Sequence, residues 1–305
     1  MRIRYVLPAV AVVAALGTAI PATAAPPSPT PASVLANAFY AARTESAAFQ
    51  QYSGYATAAD DSGRPELAGV WRTVATVEYY DHWMADTALA GQYQSGDNTT
   101  NLRVAISQAT QTASADSALA AKAPTGSPVA GVLRAVAARE TADATLLQQA
   151  LNGSVPAAPA VMSVPVHPSA KPLYSGSFYS GLTGDANSAL SDAALNWGEY
   201  QYFARNAVNT GQAKLAQLFS GLEAQEMGQN WPAISNAAGY VNGDATNLST
   251  SIASETGAIQ MYATFASQAK KAGDASAASL FTEVQGDETG HHGTFTTELK
   301  QLAGT

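Results

Sequence analysis

Residues 255–292, ETGAIQMYATFASQAKKAGDASAASLFTEVQGDETGHH, decide the fold, because residues 45–82, ESAAFQQYSGYATAADDSGRPELAGVWRTVATVEYYDH, repeat their pattern without a gap. Glu45, Tyr52, Tyr55, Gly63, Ala68 and Glu78 fall on Glu255, Tyr262, Phe265, Gly273, Ala278 and Glu288. A third copy runs EYQYFARNAVNTGQAKLAQLFSGLEAQEMGQN from Glu199. Tyr200, Phe203, Gly211, Ala216 and Glu226 take the same places there, and Ala193 stands where the first Glu should be. A fourth, weaker copy is APTGSPVAGVLRAVAARETAD, residues 123–143, with Ala130 and Glu140 in register and Ser107 at the first Glu position. Such self-similarity marks a repeated supersecondary unit. Each copy reads helix, short Gly-containing turn, helix, and the glycines suit the left-handed residue that ends a helix.

The second helix of each copy carries a traceable apolar stripe. In the last copy it runs Phe281, Val284, Glu288, His291, Phe295, in alternating steps of three and four residues that keep one helical face. The first copy gives Trp71, Val74, Glu78, Asp81; the third gives Phe219, Leu222, Glu226, Gln229; the remaining one gives Leu133, Val136, Glu140, Asp143, Leu147. Each second helix thus places a Glu inside its buried stripe, with a polar residue three positions on. An unpaired buried carboxylate is costly, so four in equivalent places call for mutual pairing, protonation or a cation. His292 lies on another face from His291 and reads as a residue of the solvent side or bundle edge.

The second proline cluster, GSVPAAPAVMSVPVHPSAKP, reads as an extended linker within residues 153–185, between segments 34–152 and 186–305. Two hairpins per segment make a four-helix bundle, so the expected fold is all-α, with two tandem four-helix bundles. Short connections favour pairing of neighbouring hairpins. The alternative pairs the first hairpin with the last, which would collect Glu45, Glu78, Asp81 or His82, Glu255, Glu288 and His291 into one two-metal site. Residues 1–24 have a basic start, a short apolar run and the small-residue stretch Ala22-Thr23-Ala24, the pattern of a signal peptide. A secreted or extracytoplasmic protein, not held in a membrane after cleavage, is the expectation.

The signal carries Arg2 and Arg4 and no acid, so the remaining chain has 13 basic residues (15 less 2) against 23 acidic ones, a balance of −10. That excludes nucleic acid and anionic membranes as natural partners. The chain has no cysteine, which excludes thiolate metal sites and cysteine nucleophiles. Any metal must be held by carboxylates and imidazoles.

A Glu on one helix followed by Glu-x-x-His on the next, with E-x6-Y-x2-[FY] in the first helix, resembles the ferritin-like superfamily, and the rubrerythrin group in particular. The resemblance implies iron or manganese held by Glu and His, with ferroxidase- or peroxidase-like oxidoreductase activity. By that likeness Glu255, Glu288 and His291 form one half-site of the last segment, with Glu226 as a bridging carboxylate; Ala193 and Gln229 break the other half. In the first segment Glu45 and Glu78 match, Asp81 stands where His is expected, and His82 comes one position later. Glu140 and Asp143 match the fourth-helix pair in part, and Ser107 replaces the third-helix Glu. The expected outcome is one half-site per bundle, with one ion in the second; in the first, Glu45, Glu78, Asp81 and Glu140 share protons and hydrogen bonds or hold one hard cation through oxygen ligands. The competing expectation is a degenerate, metal-free bundle acting as a structural or interaction module.

Overall fold

The computed structural model describes residues 31–91, 96–169 and 185–304; the expected signal peptide lies outside the described residues. Among these, every regular element is helical. Helix α1 is Ala32–Asp61. Helix α2 is continuous through Pro65–Val77, a π-helical turn at Glu78–Trp83, and Met84–Ala90. Helices α3 and α4 are Asn98–Lys122 and Pro128–Leu151, and α5 is Asp185–Asn209. Helix α6 runs through Ala213–Gln225, a second π-helical turn at Glu226–Asn230, and Trp231–Ala238. Helices α7 and α8 are Asp244–Lys271 and Ala275–Ala303.

The local code acts as expected. Gly63, Gly211 and Gly273 turn their hairpins with φ of 77, 73 and 80°, the left-handed region that a side chain disfavours. The stripes read from the sequence are the buried faces: Trp71, Val74 and Glu78; Leu133, Val136, Glu140, Asp143 and Leu147; Phe219, Leu222 and Glu226; Phe281, Val284, Glu288 and Phe295 all lie inside. Pro232, expected to kink or end its helix, does not end α6, which continues to Ala238. Proline lacks the N–H that an α-helix would direct to the carbonyl of Gly228. The backbone N–H of Val164 donates to that carbonyl instead, at 2.7 Å. Residues 154–169 of the Pro-rich segment are therefore not a free linker over this stretch but a strap laid along α6.

The pairing of hairpins differs from the neighbour arrangement. The α1–α2 hairpin packs with α7–α8: the Tyr52 hydroxyl donates to Glu255, the Tyr262 hydroxyl meets Glu45, and His82 meets Glu288. The α3–α4 hairpin packs with α5–α6, where Asn230 of α6 donates to Glu140 of α4. Glu226 consequently does not join its expected partners Glu255 and Glu288 and sits instead with Glu140 and Asp143. First-with-last pairing brings His82 and His291 together with Glu45, Glu78, Glu255 and Glu288, so that two imidazoles offset part of the buried carboxylate charge.

Two tryptophans join the bundles. Trp83 and Trp231 occupy the same repeat position and each packs on a helix of the other bundle. A methyl on Gly198 of α5 would stand 3.0 Å from Trp83 Cζ2, and one on Gly54 of α1 would stand 2.7 Å from Trp231 Cη2. Both glycines are thus required by close approach. No described helix is long and apolar enough to cross a membrane.

Candidate metal centre

In the α1–α2/α7–α8 bundle, Glu45, Glu78, His82 and Glu288 bring ligand atoms within 4.8 Å of one another, and so do Glu78, Glu255, Glu288 and His291. The two groups share Glu78 and Glu288. Glu45, Glu78, His82, Glu255 and Glu288 are at most 2% exposed, while the His291 side chain is 12% exposed. His82 Nδ1 lies 3.0 Å from Glu78 Oε2 and 3.4 Å from Glu288 Oε1. His291 Nδ1 lies 3.1 Å from Glu78 Oε1 and 3.2 Å from Glu288 Oε2. Each of the two glutamates therefore offers one oxygen to either histidine, while Glu45 and Glu255 flank the cluster on opposite sides.

The π-turn explains which residue of α2 faces inward. Its i→i+5 hydrogen bonds widen the turn, so the fourth residue after Glu78 returns over it. That residue is His82; Asp81 is exposed. In α8, which has no such turn, the third residue after Glu288 does the same task, and His291 faces the cluster. Of the two positions considered in α2, His82 faces the cluster and Asp81 does not. His292 is half-buried and belongs to neither ligand group.

The surroundings hold these side chains in place. His82 Nε2 lies 3.4 Å from Asp287 Oδ2, which fixes the ring with Nδ1 inward. The Tyr262 hydroxyl lies 2.5 Å from Glu45 Oε1 and 2.6 Å from Asp86 Oδ2. One hydroxyl hydrogen cannot serve both, so one of these carboxyls carries a proton. Burial indeed pushes Asp86 up to about 7. Burial, then the charges of Glu288 and Glu78, raise Glu45; burial and the adjacent Glu288 raise Glu255. Burial opposes the charge on Glu78, but its contacts with His291 and His82 win and hold it below the usual carboxylate range. Burial disfavours the imidazolium of His291, yet Glu288 and Glu78 outweigh it and raise the group to about 9. The same contest raises His82. Without metal, then, protons neutralise the cluster. A cavity of about 20 Å³ beside Glu45, Glu78, Glu255 and Glu288, walled by Thr44, Ala47 and Ala258, has room for about one water-sized molecule.

The second bundle holds a counterpart built from Glu140, Asp143 and Glu226, all buried and mutually within 4.8 Å. Its π-turn places Asn230 where His82 stands in the first. The Asn230 amide donates to Glu140 Oε1 and Glu226 Oε2, both at 3.0 Å, and Arg139 Nε donates to its oxygen at 2.6 Å. That last bond fixes the amide with its N–H groups inward. Asn196 donates to Glu140 Oε2 at 3.3 Å, and Gln225 donates to Asp143. Burial raises Glu226, Asp143 and Asp116 each to about 8 and raises Glu140 as well.

Sequence reasoning missed Asp86, Asp287, Asn230 and Gln225. Asp86 continues the α2 stripe four residues past His82, which is a usable signal. The amides carry no signature of a site at all.

The family model for rubrerythrin matches residues 246–305, which cover most of α7 and all of α8 and so include Glu255, Glu288 and His291. The match supports a ferritin-like, rubrerythrin-like relationship over that hairpin. No curated protein and no solved structure matches the chain.

Proposed function

We propose that the α1–α2/α7–α8 bundle binds two iron or manganese ions and serves as an oxidoreductase toward a small oxidant. The observation that carries this reading is that Glu78 and Glu288 each present one oxygen to His82 and one to His291. Glu45, Glu78, His82 and Glu288 would hold one ion, and Glu78, Glu255, Glu288 and His291 the other. The donors fit the metals: oxygen with one imidazole each suits Fe(II) or Mn(II), and four carboxylates balance two divalent charges. Glu78 Oε1 sits 3.1 Å from His291 Nδ1 without hydrogen-bond geometry, leaving a buried oxygen for a cation to take up. Bound ions would supply one-electron redox chemistry. The chain's own part is to orient the glutamates through Tyr52 and Tyr262, to fix His82 through Asp287, and to limit entry to molecules that fit a water-sized cavity.

The second bundle reads differently. Asn230, Asn196 and Gln225 supply the donors that a cation would replace, so Glu140, Asp143 and Glu226 form a metal-free, proton-neutralised core. A site of action outside the cytoplasm rests on residues 1–24 as a signal peptide.

Elemental analysis after exposure of the metal-free protein to Fe(II) or Mn(II) tests the reading. Two ions per chain are expected in the wild type, a sharp loss in His82→Ala and in His291→Ala, and no loss in His292→Ala. Equal, near-zero metal in all four proteins would overturn the metal centre and the redox activity with it.

A further inference from the structure

Tyr79 and Trp83 each directly follow a ligand, Glu78 and His82, in the π-turn of α2. Their rings stack at 4.9 Å with an interplanar angle of 14°. Tyr80 meets Tyr79 edge-on at 4.9 Å, and it is 48% exposed whereas Tyr79 and Trp83 are buried. Three rings in unbroken contact thus run from the backbone of the ligands to solvent. The second bundle provides an internal control. Its equivalent turn reads Glu226-Met227-Gly228-Gln229-Asn230-Trp231, so the two tyrosines are missing where the histidine is also missing. The tryptophan survives in both, as its packing against the other bundle requires. The tyrosines therefore accompany the metal ligands and not the scaffold.

We propose that Trp83, Tyr79 and Tyr80 form an electron relay between the dinuclear centre and the surface, by which a small soluble one-electron donor re-reduces the centre. This rests on the dinuclear reading above. The step balances as follows. One electron would pass from the ring of Tyr80 through Tyr79 and Trp83 to the centre, lowering one bound ion by one oxidation state. Tyr80 gives up its phenolic proton to water, becoming a neutral radical. The donor then supplies one electron and water returns the proton.

The chemistry of each ring suits its place. The Tyr79 hydroxyl is buried with no hydrogen-bond partner to take its proton, so this ring acts as a bridge and not as a resting place for the radical. Tyr80 has solvent at hand. The Arg205 guanidinium stands 5.6 Å from the Tyr80 ring centroid and 3.5 Å from its hydroxyl, which disfavours a cationic ring and makes proton loss accompany electron loss. With no cysteine in the chain, a thiolate-bound iron centre is not available as an internal donor, so electrons have to enter across the surface. Tyr52 and Tyr262 lie closer to the ligands, but both are buried and their hydroxyls are committed to carboxylates.

Iron-loaded protein oxidised with hydrogen peroxide in the absence of any donor provides the test, read by freeze-quench electron paramagnetic resonance, peptide mass spectrometry and iron content. The wild type should show a tyrosyl radical and oxidation products at Tyr80. Tyr80→Phe, a surface change, should keep its iron and lose that radical. Tyr79→Met, the residue of the second bundle, should keep its iron and also lose the Tyr80 radical. A radical of equal yield in Tyr80→Phe, or one removed by Tyr52→Phe or Tyr262→Phe instead, overturns the relay while leaving the metal centre standing. A wild type without iron overturns the centre first and the relay with it.

Discussion

The two centres of this molecule share a scaffold and differ in how they neutralise buried carboxylates. Both sit at a π-turn in the second helix of a hairpin, and both bring together glutamates from facing helices. In the first, imidazoles at His82 and His291 and carboxylates at Glu45 and Glu255 complete the set. In the second, Asn230 and Asp143 take the histidine places, and Ala193 and Ser107 take those of the outer glutamates. What remains there is two central glutamates and an aspartate, satisfied by amide donors and by protons. The difference shows that a buried acid cluster on this fold has two stable solutions. A cluster with inward imidazoles and an excess of oxygens is compatible with cations. One closed by amides fixed from behind, as Arg139 fixes Asn230, has its donors already.

The strongest way to break this comparison is to neutralise the central glutamates of each centre in turn. Glu78→Gln with Glu288→Gln should abolish metal uptake, because both glutamates shared by the two proposed ligand sets are lost. Glu140→Gln with Glu226→Gln should leave metal content at the wild-type value. It should also leave stability at neutral pH within about 1 kcal/mol, since an amide resembles the protonated acid already present. Elemental analysis and urea unfolding decide it. Loss of one ion in the second pair would show that Glu140 and Glu226 bind metal after all.

The fold was legible where burial follows local periodicity. The stripes through Glu78, Glu140, Glu226 and Glu288 predict the inward faces except at Asp81, which is exposed, and the turn glycines adopt the expected backbone. Two things were not legible. Which hairpins pair depends on what their buried faces offer each other, and short-connection reasoning favours neighbours regardless of it. The register of α2 depends on a π-turn that no propensity announces. The one visible trace is the offset between Glu-x-x-x-His in residues 78–82 and Glu-x-x-His in residues 288–291. A gap-free alignment therefore sets Asp81 against His291, and the extra residue shifts His82 into the site.

A sharper comparison comes from pH. In the metal-free protein, Glu226, Asp143 and Asp116 keep protons up to about 8 that the unfolded chain releases near 4. Folding thus takes up protons between these values, and stability falls as pH rises from about 4 to 8. His291 adds to the fall with the same sign, because its raised value, about 9, means that its ion pairs are lost as pH rises through it. Glu78 has the opposite sign, but its lowered value places its effect in acid, below this window. A decline on the order of several kcal/mol between pH 5 and 9 is expected in urea unfolding of metal-free protein. The Glu140→Gln, Glu226→Gln pair should flatten it. Metal should reverse the trend, since binding at the first centre releases protons and tightens with pH. A flat profile in metal-free wild type would remove the case for a proton-neutralised second centre.

The smallest expected effect separates the two π-helices at their surfaces. Among the described residues the strap runs along α6 and has no equivalent on α2, and Gly221 makes room for it: a methyl there would overlap the Ala158 side chain, while one on Gly228 would stand in ordinary contact, 3.5 Å from Val161 Cγ1. The matching residues of α2 are Thr73 and Tyr80, which a strap could not cross. Anchors run along its length: Val164 to Gly228 at 2.7 Å, His167 N to Asn236 at 2.9 Å, and Ser169 N to Val241 O at 2.8 Å. Gly221→Ala gains up to about 1 kcal/mol of helix propensity and loses about 1–3 kcal/mol to the overlap if the strap stays put. The strap has only coil backbone to move, so it should yield, leaving global stability within about 1 kcal/mol of the wild type. The readout is local: limited proteolysis within residues 154–169 should speed up. Gly69→Ala on α2, where a methyl meets nothing within 4 Å, is the control and should gain the helix propensity alone. Equal protease resistance in both variants would mean that Gly221 is not what admits the strap.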